Sequence, residues 1–252
     1  MSILIVGGDS AVAKCYIQSC KDNKLSFKAT SRRKKLSSNF IYFDLNDPNF
    51  DVFKSKRFNF VIFFASICSI DFCEKNKKKS HYINVENTKK SLDEFSKISN
   101  KLLFLSSNAV FDGKHPFKQS KDDPNPINEY GRQKLEVEEW IKYYSKKISV
   151  LRLSKVIHPY YELINDWRNN LDQGFEIYPF TNKFFSPIHI KNVLEKIEEI
   201  RKEKKISIFH CASSEDISYY EYALKLFQGH PNKNLIKKGL CENIEKTYSS
   251  LR

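Results

Sequence analysis

Two side chains four positions apart, Tyr130 and Lys134, could carry out proton transfer. Residues at positions i and i+4 lie on one face of a helix, where an ammonium can lower the pKa of a phenol and make it a proton donor. A second pair with this spacing, Tyr143 and Lys147, lies towards the end of the same helical stretch. Tyr130 instead opens the stretch directly after a proline-containing loop, so Tyr130 and Lys134 are the candidate catalytic pair.

A serine, Ser107, is predicted to meet this pair. Residues 101–105 have the composition of a buried strand and run into the sequence SSNAVFDG, whose second residue is Ser107. Open α/β sheets bind their ligands at the carboxyl ends of the strands. We therefore expect Ser107, Tyr130 and Lys134 to form one catalytic set.

A loop of small residues, GGDSAVA at positions 7–13, follows the first predicted strand and precedes a helix. Dinucleotide-binding folds need small residues here, because the backbone turns tightly, approaches the pyrophosphate and lets the helix pack on the strand. Gly7 keeps glycine at the first of the three spaced positions, whereas Ser10 and Ala13 occupy the other two. A plain strand-to-helix turn therefore remains an alternative. The candidate cofactor-binding residues of this loop are Gly7, Ser10, Ala11 and Val12.

The second predicted strand ends in Ser31, Arg32 and Arg33, where a site selective for NAD would place a carboxylate on the ribose hydroxyls. Arginine instead suits a 2′-phosphate, which it can bind through two parallel hydrogen bonds. This favours NADP(H) over NAD(H), with an exposed basic loop over residues 32–35 as the alternative. After the third strand, Asp44 and Leu45 could lie beside the adenine, although an aspartate there could equally cap a turn.

Short β-rich runs alternate with longer helical stretches, which predicts βαβ units around a parallel sheet. Strands are predicted at residues 3–6, 26–30, 40–43, 60–65, 101–105, 148–153 and 206–210, and helices at 11–21, 80–99 and 130–144. The expected fold class is α/β, a Rossmann-type doubly wound parallel sheet with a small C-terminal substrate-binding cap. We expect residues 1–157 to form the dinucleotide-binding domain, to which strand 206–212 returns. Residues 158–205 and 213–252 would form the cap.

The amino-acid composition limits the classes of binding partner that we expect. Lys and Arg number 43 against 30 Asp and Glu, a net charge of +13, which favours a polyanionic or phosphate-bearing partner. The positive charge is the only feature that favours nucleic-acid binding, and the sequence has no recognisable nucleic-acid-binding motif. Nucleic-acid binding is therefore not expected. There is no apolar run long enough to span a membrane, nor room for a signal peptide before the first strand, so we expect a cytoplasmic protein. No two of the six cysteines have metal-site spacing, and no metal is predicted.

Several motifs in register resemble one family. They are the turn at Gly7, Phe64-Ala65-Ser66 after the fourth strand, Asp71 with Glu74, Asn84, the SSNAVFDG block, Pro126 with Tyr130-Gly131 and Lys134, and Leu151-Arg152-Leu153. Over about residues 1–225 the chain resembles the extended short-chain dehydrogenases/reductases, in particular their dTDP-4-dehydrorhamnose reductase branch. The SSNAVFDG block is similar almost position for position to the family's Ser-Thr-Asp-Tyr-Val-Phe-Asp-Gly.

The resemblance implies roles for the matched residues. Ser107 would hydrogen-bond the substrate carbonyl oxygen, Tyr130 would protonate it, and Lys134 would bind the nicotinamide ribose and tune Tyr130. Phe64, Ala65 and Ser66 would lie beside the cofactor. The implied reaction transfers a hydride from NADPH to the 4-keto carbon of a nucleotide-diphosphate sugar, in the biosynthesis of a surface polysaccharide.

Two alternatives stay open. A 4-epimerase would use the same three residues but recycle its cofactor. A non-catalytic nucleotide-binding relative would fit the substituted glycine loop and a C-terminal region shorter than that of relatives. A homodimer is also left open.

Overall fold

A central sheet of seven strands organises the computed structural model, which describes residues 2–33, 37–242 and 248–252. The strands of this sheet are β1 (Ser2–Val6), β2 (Ser26–Ser31), β3 (Phe40–Tyr42), β4 (Phe58–Phe63), β5 (Ser99–Ser107), β6 (Ile148–Leu153) and β10 (Ile208–Cys211). Their order is β10-β6-β5-β4-β1-β2-β3, and every neighbouring pair is parallel. The predicted Rossmann-type doubly wound sheet is confirmed.

Helices cover both faces of the sheet. They are α1 (Ala11–Asp22), α2 (Ile70–Lys75), α3 (Lys77–His81), α4 (Thr88–Lys97), α5 (Glu129–Tyr144), α6 (Glu162–Asp172), α7 (Ile190–Lys202) and α8 (Tyr219–Leu226). The side chains of α1 and α7 share one apolar cluster with one face of the sheet, and those of α4 and α5 share another with the opposite face. Burial on both faces is the reason why β4 and β6 consist mostly of apolar residues.

Three predicted boundaries differ from the structure, and the first two matter for the site. Strand β4 ends at Phe63, so residues 64–66 belong to the loop that leaves its carboxyl end. The helical stretch predicted from residue 80 already begins at Ile70, because the Ser69 hydroxyl accepts the N–H of Phe72 and caps a helix there (3.1 Å). The last sheet strand starts at Ile208, two residues later than predicted.

A third apolar cluster joins α6 to α8 through Trp167, Leu171 and Ala223, and includes Phe227 directly after α8. There are also two small sheets: β7 (Lys155–Ile157) pairs in parallel with β9 (Pro187–His189), and β8 (Phe184–Phe185) pairs antiparallel with β11 (Ile217–Ser218). Ile188 of β9 lies in the cluster of α1 and α7, whereas Phe185 of β8 stacks on Tyr219, which packs against the cluster of α6 and α8. Helix α7, which we expected in the cap, buries Val193 and Ile197 in the cluster of the central sheet instead.

The segment 248–252 ties the loop after SSNAVFDG to these smaller sheets. The N–H of Tyr248 donates to the carbonyl of Gly113 (2.8 Å), and the N–H of Arg252 donates to that of Lys118 (2.8 Å). On its other side, Asp216 accepts the N–H groups of Ser249 (2.7 Å) and Ser250 (3.1 Å). The loop that follows the candidate catalytic serine is therefore held from two directions.

Across residues 2–33, 37–242 and 248–252, none of the helices combines the length and apolarity needed to cross a bilayer. The same residues contain no cluster of three or more His, Cys, Asp or Glu side chains that could hold a metal ion.

Candidate functional site

A cavity of about 860 Å³ opens where strands β1, β2, β3 and β4 end. Its lining includes ten of the predicted cofactor residues, namely Gly7, Ser10, Ser31, Arg32, Arg33, Asp44, Leu45, Phe64, Ala65 and Ser66. It also includes residues that the sequence analysis did not single out, among them Asp9, Cys68 and Lys79. Lys79 belongs to a short basic run and Cys68 to no motif, so neither carried a sequence signal.

Gly7 forms the tight turn at the end of β1. Its φ is +85°, and a Cβ there would lie 2.6 Å from the backbone nitrogen of Ala65, so a side chain is excluded on both counts. The Gly7 N–H donates to the Thr30 hydroxyl (2.9 Å), which fixes the turn to the end of β2. The β1 turn and the loop after β4 therefore approach each other closely at the cavity.

The amino end of α1 begins directly after this turn. The Ser10 hydroxyl accepts the N–H of Ala13 (3.2 Å) and caps the helix, although Ser10 replaces a glycine of the usual pattern. The N–H groups of Ala11 and Val12 have no partner in the described part of the chain. Their side chains do not line the cavity, so any contribution from them comes from the backbone at the positive end of the helix dipole.

The end of β2 carries two exposed cations, Arg32 and Arg33. Neither forms an ion pair with any acidic side chain among residues 2–33, 37–242 and 248–252. The Ser31 hydroxyl orders this turn by donating to Asp9 Oδ2 (2.7 Å) and accepting the N–H of Arg33 (3.0 Å). Residues 34 and 35, part of the basic-loop alternative, lie outside the described residues.

The loop after β3 forms the far end of the cavity. Asp44 Oδ1 accepts the N–H of Asn46 (2.9 Å), as an aspartate that caps its own turn does, while Asp44 still lines the cavity. The Asn87 amide donates to the carbonyl of Leu45 (2.8 Å) and anchors this loop to the helical layer.

Asn84 holds the loop after β4 through its side chain. Its Oδ1 accepts the N–H of Ile67 (2.8 Å), and its amide donates to the Ile67 carbonyl (3.0 Å) and to Gln133 Oε1 (2.9 Å). Asn84 lies in a π-helical segment (Tyr82–Asn87), a widened turn that is frequent at functional sites. This buried asparagine therefore links the β4 loop to helix α5.

Helix α5 brings Tyr130 to Ser107. Asn128 Oδ1 caps the helix by accepting the N–H of Gly131 (2.8 Å), which places Tyr130 in the first turn. A Cβ on Gly131 would lie 2.0 Å from the carbonyl oxygen of Ala109, so only glycine allows α5 to come this close to the loop after β5. The Tyr130 hydroxyl lies close enough to the Ser107 hydroxyl and to the exposed thiol of Cys68 for both groups to shift its pKa.

The pKa of Tyr130 moves in the opposite direction to the one expected from the sequence. Burial raises it well above its ordinary value, and the interactions with Cys68 and Cys73 raise it further, while the interaction with Ser107 lowers it. The net lowering expected from Lys134 is therefore not found, since burial outweighs it; the Lys134 ammonium donates to the carbonyl of Leu105 (3.0 Å) and lies 5.7 Å from the centre of the Tyr130 ring. Tyr130 is therefore protonated at neutral pH.

Lys134 is almost fully buried, with 5% of its surface exposed. Burial lowers its pKa, and the nearby Glu138 carboxylate opposes that change. One turn further along α5, Glu138 binds the buried Arg152 (Nη2 to Oε2, 2.6 Å) and accepts a hydrogen bond from Ser106. This ion pair fixes the end of β5 directly beside Ser107.

The family model described as the RmlD substrate binding domain matches residues 1–245. The chain belongs to this family, and the resemblance inferred from the motifs is confirmed.

Among curated proteins, the chain is 26% identical over 166 residues to the methionine adenosyltransferase 2 subunit beta of Bos taurus. That match covers 61% of the chain and 49% of the subunit. It is also 26% identical to the spore coat polysaccharide biosynthesis protein SpsK of Bacillus subtilis, over 65% of the chain and 58% of SpsK. The chain thus matches about half the length of these relatives.

Among solved structures, a dTDP-4-dehydrorhamnose reductase from Clostridium acetobutylicum superposes with a TM-score of 0.86 at 21% identity, covering 100% of the chain and 90% of that protein. A dTDP-4-dehydrorhamnose reductase from Bacillus anthracis, solved with NADP, gives 0.85 at 18% identity, covering 99% and 88%. At this identity the agreement shows a shared fold.

Proposed function

We propose that the chain is an NADPH-dependent reductase of a 4-keto, nucleotide-linked deoxysugar. The observation that carries the proposal is the convergence of Ser107, Tyr130 and Lys134 beside a cavity that ends at the carboxyl edge of the sheet. Cys68, which both lines that cavity and contacts Tyr130, joins the two parts of the site.

The cavity fits a nicotinamide dinucleotide phosphate. The free N–H groups of Ala11 and Val12 suit a pyrophosphate at the start of a helix, and Arg32 and Arg33 suit a 2′-phosphate. Asp44 and Leu45 would lie by the adenine, and residues 64–66 along the nicotinamide half. When bound, the cofactor supplies a hydride. The NADP in the Bacillus anthracis reductase supports this assignment.

The side chains divide the remaining chemistry among themselves. The Ser107 hydroxyl donates a hydrogen bond to the substrate carbonyl oxygen and orients the ketone. Tyr130, kept protonated by burial, gives its hydroxyl proton to that oxygen as the carbonyl becomes an alcohol, and solvent later returns the proton. The Lys134 ammonium, anchored on Leu105, holds the nicotinamide ribose hydroxyls and stabilises the phenolate that forms.

The domain division is part of the proposal. Residues 1–157 with the strand in 206–212 would bind the dinucleotide, and the smaller sheets with α6 and α8 would cover the sugar. SpsK is named for polysaccharide biosynthesis, which supports a role in making surface polysaccharides. We propose a cytoplasmic location and leave the homodimer open.

Two other functions can be distinguished from the proposed reductase by experiment. A 4-epimerase with the same residues would convert its substrate without net oxidation of NADPH. A non-catalytic subunit is the second candidate, because one relative is named as the subunit beta of a methionine adenosyltransferase.

The test compares Tyr130→Phe with Tyr143→Phe, a matched control on the same helix whose side chain is 77% exposed. NADPH oxidation with a 4-keto nucleotide sugar is followed at 340 nm. We expect Tyr130→Phe to lower kcat by about 10²–10⁴-fold, the usual contribution of a positioned proton donor, and Tyr143→Phe to leave it unchanged. Equal activity of the two variants would exclude Tyr130 as the proton donor. Product formed without net NADPH oxidation would favour the epimerase.

A further inference from the structure

Two cysteines five positions apart, Cys68 and Cys73, meet at the amino end of helix α2. The Ser69 hydroxyl caps this helix, so Cys68 directly precedes the cap and Cys73 lies four residues after it. In the hydrophobic staple that often accompanies such a cap, side chains at these two positions pack against each other. The start of the helix therefore brings together two thiols that are not neighbours in the sequence.

The hydrogen bonds of the two thiols limit the distance between them. Cys73 Sγ donates to the carbonyl of Ile67 (3.7 Å), and Cys68 Sγ donates to the carbonyl of Ser66 (3.8 Å). The Ile67 carbonyl belongs to the peptide bond that joins Ile67 to Cys68, and a carbonyl oxygen lies about 2.8 Å from the next Cα. Cys73 Sγ is therefore within about 6.5 Å of the Cα of Cys68. Rotation of the Cys68 side chain and a small shift of the loop would join the two sulfurs.

The two thiols differ in their access to solvent. Cys68 is exposed and lines the cavity, whereas Cys73 is fully buried. Burial raises the pKa of the Cys73 thiol, which is therefore protonated at neutral pH. Exposure makes Cys68 the thiol that an oxidant reaches first, and a second cysteine beside it can resolve the product, as in redox-sensing proteins.

The loop that carries Cys68 forms part of the cavity wall. Residues 64–69 all line the cavity. The Asn84 amide holds this loop by donating to the Ile67 carbonyl (3.0 Å) and to Cys73 Sγ (3.8 Å). A bond between the two sulfurs would draw Cys68 away from the carbonyl of Ser66 and towards the contact made by Asn84. The wall along the proposed nicotinamide half of the cofactor would then change shape.

We propose that Cys68 and Cys73 form a peroxide-reactive thiol pair whose disulfide lowers the affinity of the cavity for NADPH. This adds regulation to the proposed function and rests on it for the identity of the cofactor. The Cys68 sulfur attacks a hydroperoxide, so that an S–O bond forms, the O–O bond breaks and the Cys68 proton leaves with the released alcohol or water. The Cys73 sulfur then displaces the hydroxyl group of this sulfenic acid, which takes the Cys73 proton and leaves as water. Two thiols are oxidised to one disulfide, and one peroxide is reduced.

The first test asks whether the two thiols pair. The full chain is oxidised with hydrogen peroxide, its remaining thiols are alkylated, and its tryptic peptides are mapped by mass spectrometry. Trypsin releases one peptide, residues 58–75, that contains both Cys68 and Cys73. We expect this peptide to lose two hydrogen atoms and to escape alkylation, and we expect dithiothreitol to restore both thiols.

The matched control lies in the same digest. The tryptic peptide of residues 15–21 contains Cys15 and Cys20, which are also five positions apart, one partly exposed and one buried. Both cysteines lie within α1, and positions five apart in a continuous helix do not share a face. This peptide should keep both thiols. A link in both peptides would overturn the inference, because unfolding rather than the geometry at α2 would then explain the pairing.

The second test measures NADPH binding by nicotinamide fluorescence before oxidation, after it, and after reduction with dithiothreitol. We expect the oxidised chain to bind at least tenfold more weakly and dithiothreitol to restore the affinity. In Cys68→Ser, peroxide should change the affinity of the variant by less than twofold.

Two results would overturn the inference. One is oxidation of Cys68 to a sulfinic acid without a link to Cys73, and the other is a linked peptide with unchanged NADPH affinity. Failure of the proposed function gives a different result, because the reduced chain would then bind no NADPH. The mass of the 58–75 peptide would still decide whether the thiols pair.

Discussion

Replacing Gly131 with alanine tests whether the approach of α5 to the loop after β5 positions the catalytic hydroxyls. The new Cβ would lie 2.0 Å from the carbonyl oxygen of Ala109, whereas Cβ atoms essentially never come within 3.0 Å of a neighbour. The helix or the loop must therefore move by at least 1.0 Å. Tyr130 and Ser107 lie on the two sides of this contact, so the displacement separates them directly.

Two opposing effects decide the stability of the variant. Alanine is favoured over glycine in a helix by about 1 kcal/mol. Overpacking a closely packed contact costs about 1–3 kcal/mol, and here the obstacle is backbone rather than a flexible side chain. We expect a net loss of about 1 kcal/mol in the free energy of unfolding, measured in urea.

The effect on catalysis should be larger. A misplacement of about 1 Å can cost about 10²-fold in rate, so kcat for NADPH-dependent ketone reduction should fall by about that factor. NADPH binding should change little, because the glycine turn at residue 7 lies in another loop. The control is Gly229→Ala, where a Cβ meets nothing within 4 Å. Wild-type kcat and stability in Gly131→Ala would refute the positioning role of this contact.

Two further predictions concern charge. Arg32→Ala should weaken NADPH binding at least tenfold, measured by nicotinamide fluorescence, and leave NADH binding within twofold, because only NADPH carries the 2′-phosphate. Arg57→Ala is the control, since Arg57 is exposed and does not line the cavity, and an equal loss of both cofactors would contradict the assignment. Burial and the neighbouring Arg152 lower the pKa of His210 from 6.5 to about 4, so its contribution to stability is present above pH 6.5 and is lost as the pH falls towards 4. After allowance for solvent screening, urea unfolding should show about 1 kcal/mol less stability at pH 5 than at pH 7, and His210→Gln should reduce that difference; an identical pH dependence in the variant would contradict it.

The sheet was predictable because its strands are apolar runs separated by helical stretches, and the seven strands all lie in the predicted regions. The start of α2 could not be predicted from the sequence pattern, because it depends on the Ser69 cap rather than on a periodic apolar face. The direction of the shift in the Tyr130 pKa was predicted wrongly for a similar reason. Spacing places Lys134 on the same face of the helix, but it says nothing about burial or about the carbonyl of Leu105, to which the ammonium is bound.

Some residues of the candidate site could be predicted from the sequence and others could not. Motif residues such as Gly7 and Ser107 could be located from the sequence, because each follows a strand. Cys68 could not, because tertiary contacts bring it to the site from a segment without a regular pattern.

The contacts of residues 248–252 also set an order of events during synthesis. The strands β1 to β6 are complete once residue 153 has been made, and the glycine turn can form against the loop after β4 at that stage. The carbonyls of Gly113 and Lys118, by contrast, accept the N–H groups of Tyr248 and Arg252, about 135 residues later. Pairings across such separations form late, because closing a long loop costs entropy before any contact repays it. On the ribosome, the dinucleotide half of the site would thus take shape well before the loop behind the catalytic serine is fastened.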